Sequence, residues 1–248
     1  MRFLTAAVLF LLASTPARAL EAGETEITIE AEASLLSSYI WRSIEIGGMP
    51  VVQGSAGVSV YGLTLWTWFN VETDSDIPGP VNEVDVGLDY GYEYEDFSFG
   101  ISVQAWFFPI DEGADTTAEV QLSFGWTVPD MPISLVTHHY MDVVTNQGAW
   151  FGDYGIELED ETTEWLTVSA SWLHAFSNAK FNEFNLETEK GLGAYSMTMN
   201  LRLDFALWET GLTVGPQMSL TYLLDASARE ALETGITATG GLAIAGEW

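Results

Sequence analysis

Between Val84 and Phe107 the chain alternates side-chain character at every residue, and no other feature constrains its fold as tightly. Val84, Val86, Leu88, Tyr90, Tyr92 and Tyr94 share one parity, with Asp85, Gly87, Asp89, Gly91 and Glu93 on the other. After Glu95-Asp96 the pattern resumes: Phe97, Phe99, Ile101, Val103, Ala105 and Phe107 stand against Ser98, Gly100, Ser102, Gln104 and Trp106. A period of two is the signature of β-strands, so this stretch reads as a hairpin with one apolar face and one polar face. Such a hairpin also fits a soluble sandwich. Repetition decides between them: alternating units of roughly ten residues with aromatics near their ends recur along the chain, as in a transmembrane β-barrel.

The repeated segments lie at about 26–42, 51–60, 63–73, 84–94, 97–107, 119–126, 133–143, 150–158, 166–172, 197–207, 212–222 and 234–248. Short turns (Tyr61-Gly62, Glu95-Asp96, Pro129 to Pro132, Trp208 to Gly211) alternate with longer breaks, including Asp74 to Val81, Pro109 to Asp115 and Asp225 to Glu233. Ser177 to Gly193 reads as a long loop flanked by strand extensions rather than as a strand of its own. The expectation is an all-β fold: an antiparallel up-and-down transmembrane barrel of about twelve strands, with both ends on the periplasmic side and the longer loops outside. Tyr92, Tyr94, Phe97, Phe107, Trp126, Trp150, Trp165, Trp208 and Trp248 supply the interfacial aromatic girdles.

The first residues fit that location. Arg2, the apolar run Phe3 to Ala13 and the small-x-small Ala17-Arg18-Ala19 read as a secretory signal peptide over residues 1–19, leaving the barrel to 20–248. The run is too short for a spanning helix. Without Arg2 and Arg18 the remainder carries five basic residues against 36 acidic ones, about −31 in formal charge, which makes nucleic acid an unsuitable partner. Cysteine is absent, so no disulfide framework or thiolate metal site is available, and no cofactor is expected. At the other end, Ile236, Leu242, Ile244 and the final Trp248 share one parity, a pattern suited to recognition by the barrel-assembly machinery.

Ser37 to Arg42 (SSYIWR), followed by Gly47-Gly48, Pro50 and Val52-Gln53-Gly54, resembles the opening of the TorF-like porins and related proteobacterial outer-membrane β-barrel proteins. The likeness covers about 18 residues. In that family's pattern a glycine follows the arginine; here Ser43 stands in its place. The resemblance implies an outer-membrane barrel and no particular substrate.

Parity assigns the lumen. Glu30, Glu32, Asp85, Asp89, Glu93, Glu119, Asp153, Glu157 and Asp204 are expected to face inward with Gln104, Gln121, Asn200 and Gln217; Arg42 and Arg202 are the inward cations. An arginine among carboxylates either braces the interior by bidentate hydrogen bonds or marks a two-signed constriction. A one-signed acidic lumen favours cations, so the leading expectation is a small cation-preferring diffusion channel in the outer membrane of a Gram-negative bacterium, in contact with lipid and lipopolysaccharide. Inward Leu36, Trp106 and Phe151 leave room for another outcome, a closed structural barrel or a loop-based binding protein. A lipid hydrolase is the weakest reading: His174 and Ser177 are three apart, which in a strand puts them on opposite faces. Adjacent His138 and His139 diverge for the same reason, lack a third nitrogen ligand, and read as surface or loop residues.

Overall fold

A computed structural model of the chain describes residues 27–73, 81–110, 115–186 and 192–248; the expected signal peptide lies outside them. The described residues form β1 (Ile27–Leu36), β2 (Tyr39–Trp41), β3 (Ile44–Gly47), β4 (Val51–Val60), β5 (Leu63–Glu72), β6 (Val81–Tyr94), β7 (Phe97–Phe107), β8 (Thr117–Thr127), β9 (Ile133–Asp142), β10 (Trp150–Thr163), β11 (Leu166–Ser177), β12 (Leu192–Ala206), β13 (Leu212–Leu223) and β14 (Ile236–Glu247). Two short helices, α1 (Ala179–Asn185) and α2 (Ala226–Ala231), sit in loops.

Twelve of these strands, β1 and β4 to β14, pair antiparallel with their neighbours into a closed barrel, and β1 completes the circle by pairing with β14. The seam runs from Glu30 opposite Glu247 to Leu36 opposite Gly241, and Ile29 and Trp248 exchange backbone hydrogen bonds of 2.8 and 2.9 Å beyond it. The remaining two strands, β2 and β3, pair only with each other.

The faces are inverted relative to a soluble protein. Val86, Leu88, Ile101, Val103, Leu122 and Phe124 are exposed on the outside, Val103 by 51%, while Asp85, Gln104 and Glu119 on alternate positions are buried inside. So extensive an apolar belt on a closed wall needs lipid around it. Tyr92, Tyr94, Phe97, Phe107, Trp165, Trp208 and Trp248 are exposed near strand ends, where girdle residues belong.

One end carries the tight turns at 61–62, 95–96, 128–132, 164–165 and 207–211; the other carries the six longer connections. Tyr61 and Gly62, at φ of 52° and 77°, adopt the two left-handed residues that a two-residue hairpin between twisted strands requires.

Two sequence expectations change. The first wall strand stops at Leu36 rather than Arg42, because the chain leaves the wall at Ser37-Ser38 and folds back as the β2–β3 hairpin. Tyr39 and Trp41 therefore point into protein, not lipid, and are buried. The segment read as a long loop flanked by strand extensions keeps that reading: β11 runs on to Ser177, β12 begins at Leu192, and α1 lies between them. Glu93 keeps its parity but is exposed: β6 has fourteen residues where about ten cross a membrane, so its last turn extends past the lumen.

Arginine in place of Val103, at mid-height on the lipid face, is expected to destabilise the folded barrel by about 2–4 kcal/mol, against about 1 kcal/mol or less at Tyr94 beside the turn. Urea titrations of the protein folded in lipid vesicles measure both, and equal costs at the two sites would contradict a lipid-facing waist.

Candidate functional site

The interior differs between its two ends. At the loop end the β2–β3 hairpin folds across the lumen. Its tether to the wall is at Ser37 and Ser38: the Ser37 amide donates to the Gly240 carbonyl at 2.9 Å, and the Thr239 hydroxyl donates to the Ser38 carbonyl at 2.8 Å. The hairpin then turns through Arg42 and Ser43, at φ of 44° and 70°, both left-handed as a primed two-residue turn demands. That geometry explains the glycine of the family pattern, since glycine takes such a φ without a Cβ penalty. Here the Ser43 hydroxyl meets the Ser196 hydroxyl at 2.6 Å, and Tyr195 Oη donates to the Arg42 carbonyl at 2.8 Å.

This turn drives Arg42 into the middle of the barrel. Its guanidinium forms a two-pronged pair with Glu119 of β8, Nη1 donating to Oε1 at 2.9 Å and Nη2 to Oε2. Around it stand the rings of Trp41, Tyr140 and Phe151, with centroids 4.7, 4.6 and 4.7 Å from the guanidinium carbon. Phe181 adds a further ring from α1, a helix capped by the Asn178 side chain, which accepts from the Phe181 amide at 2.9 Å. Leu36, Val51, Trp68, Leu186, Leu223 and Ala228 complete one apolar cluster. Both partners of the ion pair are almost wholly removed from solvent, with 1% and 5% of their side chains exposed. A charge pair taken out of water holds only when its geometry is good, and the two-pronged pairing with aromatic faces on the flat sides supplies that geometry.

Toward the turn end many inward positions are small or acidic. Gly100, Ser123, Ser134, Ser169, Ser171 and Ser219 alternate there with outward apolar residues, and Glu30, Glu32, Asp89, Glu157 and Asp204 lie on the same inward parity. Arg202 ties two of them across the interior: it donates through Nε and Nη2 to Asp204 at 2.6 and 2.8 Å, and through Nη1 to Glu32 on β1 at 2.6 Å. Asn200 donates to Ser171 at 2.8 Å, and Gln217 stands opposite Arg202 on β13. At Gly87, beside Asp85, the missing Cβ leaves room for the Trp66 ring of β5 to lie across the inner wall.

Sequence reasoning missed several inward groups. His138 is not a surface residue: it faces the lumen with 16% of its side chain exposed, and its Nδ1 lies 2.6 Å from Asp153 Oδ1 on the next strand. His139 diverges to the outside and stacks on Trp150 at 5.7 Å. Inward Trp66, Trp68 and Tyr140 were readable from parity, and Glu83 fell just before the assumed start of its strand. His174 and Ser177 do not converge. His174 stacks on Tyr154 at 5.6 Å, while the buried Ser177 hydroxyl bonds to the side chain of Asn182.

A closed antiparallel barrel with an exposed apolar belt, a polar interior, short turns at one end and long loops at the other is an outer-membrane β-barrel of the Gram-negative type. The solved structures it resembles include the translocator domain of autotransporter NalP from Neisseria meningitidis, with a TM-score of 0.51 and 12% identity over 92% of this chain and 90% of that one. The NanC porin is equally similar, at 0.51 and 9% identity over 88% and 98%. These likenesses are of fold. No protein-family model and no curated protein sequence matches the chain.

Replacing either Arg42 or Glu119 by alanine strands the other charge, and is expected to lower the free energy holding the hairpin in place by about 3–5 kcal/mol. Hydrogen exchange at the amides of Tyr39 to Ile46 reads this opening directly. The double variant should exchange no faster than either single one; additive effects would show that the two side chains do not act as a pair.

Proposed function

We propose that this barrel is a small, cation-preferring diffusion channel of porin type, shut at its loop end in the conformation described. The observation that carries the reading is the division of the interior. A single hairpin, latched by Arg42 to Glu119, fills the loop end, while the turn end keeps small side chains and an excess of carboxylates. Acids on a low-dielectric wall concentrate cations and repel anions. The latch belongs to a connecting segment, so the hairpin can leave the lumen without breaking any pairing of the wall. NanC, similar in fold, is described as a porin, and the stretch that resembles the TorF-like pattern runs from the hairpin into the start of β4 at Val52 to Gly54. Outer-membrane lipid and lipopolysaccharide are the surroundings this reading requires, small cations or solutes are its cargo, and the apolar C-terminal strand ending at Trp248 is the element presented to the assembly machinery. No step of chemistry is assigned to the chain.

The filled loop end also favours a second reading, a permanently closed barrel that acts through its loops. Planar-bilayer recording separates the two. The channel reading expects brief or small openings for the unaltered protein and larger, longer ones for Arg42→Ala, with a reversal potential on the cation side under a potassium chloride gradient. Converting Glu32, Asp89 and Glu157 to their amides should move that potential toward zero. Anion preference would overturn the selectivity, and silence in both Arg42→Ala and a hairpin deletion would leave the closed barrel as the answer.

A further inference from the structure

The cage that holds Arg42 is built mostly by the wall; the hairpin only fills it. Four of the groups that meet the guanidinium stand on barrel strands whose pairing does not involve the hairpin: Trp106 on β7, Glu119 on β8, Tyr140 on β9 and Phe151 on β10. All four converge on one point. Their ring centroids lie 6.0, 4.6 and 4.7 Å from the guanidinium carbon for Trp106, Tyr140 and Phe151, and both Glu119 oxygens accept from its terminal nitrogens. Strand register accounts for the convergence. Trp106 stands opposite Thr117 and Tyr140 opposite Gln121, the inward positions on either side of Glu119, and Phe151 stands opposite Tyr140. Connecting segments add only Trp41, from the hairpin, and Phe181, from α1.

A cation that grips a carboxylate with a two-pronged fork and offers flat faces to aromatic rings is a guanidinium; an ammonium has neither feature. Arg42 is therefore a built-in example of what this cage accepts. The pairing uses its terminal nitrogens while Nε has no acceptor, so the cage reads the free end of the group and asks nothing of the chain behind it. The surroundings disfavour a solute that carries a carboxylate of its own. Asp85, fully buried with both oxygens unbonded, stands opposite Trp106, and its charge would repel such a group. When the hairpin withdraws, Glu119 loses its counter-charge, and another guanidinium restores it.

We propose that Trp106, Glu119, Tyr140 and Phe151 form a binding site for small cationic solutes that end in a guanidinium group, and that Arg42 occupies this site while the loop end is shut. As an assignment of cargo this rests on the channel reading above; as a binding site it does not. The hairpin lies at the loop end, so a solute entering there competes with Arg42 for the same carboxylate. A ligand that binds only the released state is weakened by the fraction of time the hairpin is in place, and removal of Arg42 removes that penalty. A bound solute in turn holds the hairpin out, which couples cargo to opening.

Agmatine, a guanidinium on a butylamine chain with no carboxylate, is the probe, titrated calorimetrically into the full barrel folded in detergent. Arg42→Ala should bind it at one saturable site, at least about tenfold more tightly than the unaltered protein. In the Arg42→Ala background, Glu119→Gln should weaken binding at least about tenfold and Tyr140→Leu about threefold. Glu161→Gln, at an exposed acid, should leave it unchanged. Putrescine, which replaces the guanidinium by a second ammonium, should bind at least about tenfold more weakly than agmatine. In the unaltered protein, agmatine should speed hydrogen exchange at the amides of Tyr39 to Ile46. Heat-modifiable gel mobility verifies the fold of each variant. Equal affinity for putrescine, agmatine binding that Glu119→Gln leaves untouched, or no saturable binding to a folded Arg42→Ala barrel would each overturn the proposal. The titration needs no current, so it succeeds or fails independently of whether the barrel conducts.

Discussion

Every backbone amide and carbonyl in hydrocarbon must find its partner within the protein, because no water is there to replace it. A sheet meets that demand only when its last strand pairs with its first, as β14 does with β1. Closure then dictates the remainder. Alternate side chains on each strand go to lipid and to the enclosed space, so most of the apolar set lies outside and the carboxylates along the waist of the wall are forced inward. The interior is thereby crowded with carboxylates, and the structure must manage their repulsion as well as their burial.

It does so with few cations. Arg202 uses all three of its guanidinium nitrogens on Asp204 and Glu32, joining β12 to β1 across the space between them. Arg42 spends its terminal nitrogens on Glu119 and gives its flat faces to aromatic rings. A lysine cannot do either job, since its ammonium is a point charge without a fork or a stacking face. His138 offsets Asp153. These pairings hold the barrel's cross-section from within, while the acids near Asp85 are left without such compensation.

Much of the wall was legible in the sequence because closure makes it so: a strand with lipid on one side and a polar lumen on the other has to alternate, and the hairpin from Val84 to Phe107 does so at every position. Turns were legible from Tyr61-Gly62 and Pro129 to Pro132 for local reasons. The loops were not. Tyr39 and Trp41 continue the parity of the first strand, so periodicity alone extends it to Arg42; what ends it at Leu36 is tertiary, the pull of Arg42 toward Glu119, 77 positions away. Asn178 is a strong helix cap, yet a seven-residue helix leaves too short a period to stand out. His138 was misjudged because a histidine on an inward parity carries no mark until Asp153 is placed opposite it.

The hairpin that fills the loop end is built less securely than the wall around it. Two consecutive residues are left-handed at its turn, and neither is a glycine. Its ion pair is buried but incomplete, because Nε of Arg42 has no acceptor, a shortfall of about 1–3 kcal/mol for a buried donor. Release returns the Arg42 and Glu119 charges to water, which recovers the solvation that burial removed and partly offsets the loss of the aromatic contacts. The β1 to β14 and β1 to β4 ladders are unaffected by where the hairpin sits, since it shares no strand pairing with them. A segment with strained backbone, an unsatisfied donor and hydratable charges is where a closed barrel yields first, and here that segment lies across the lumen.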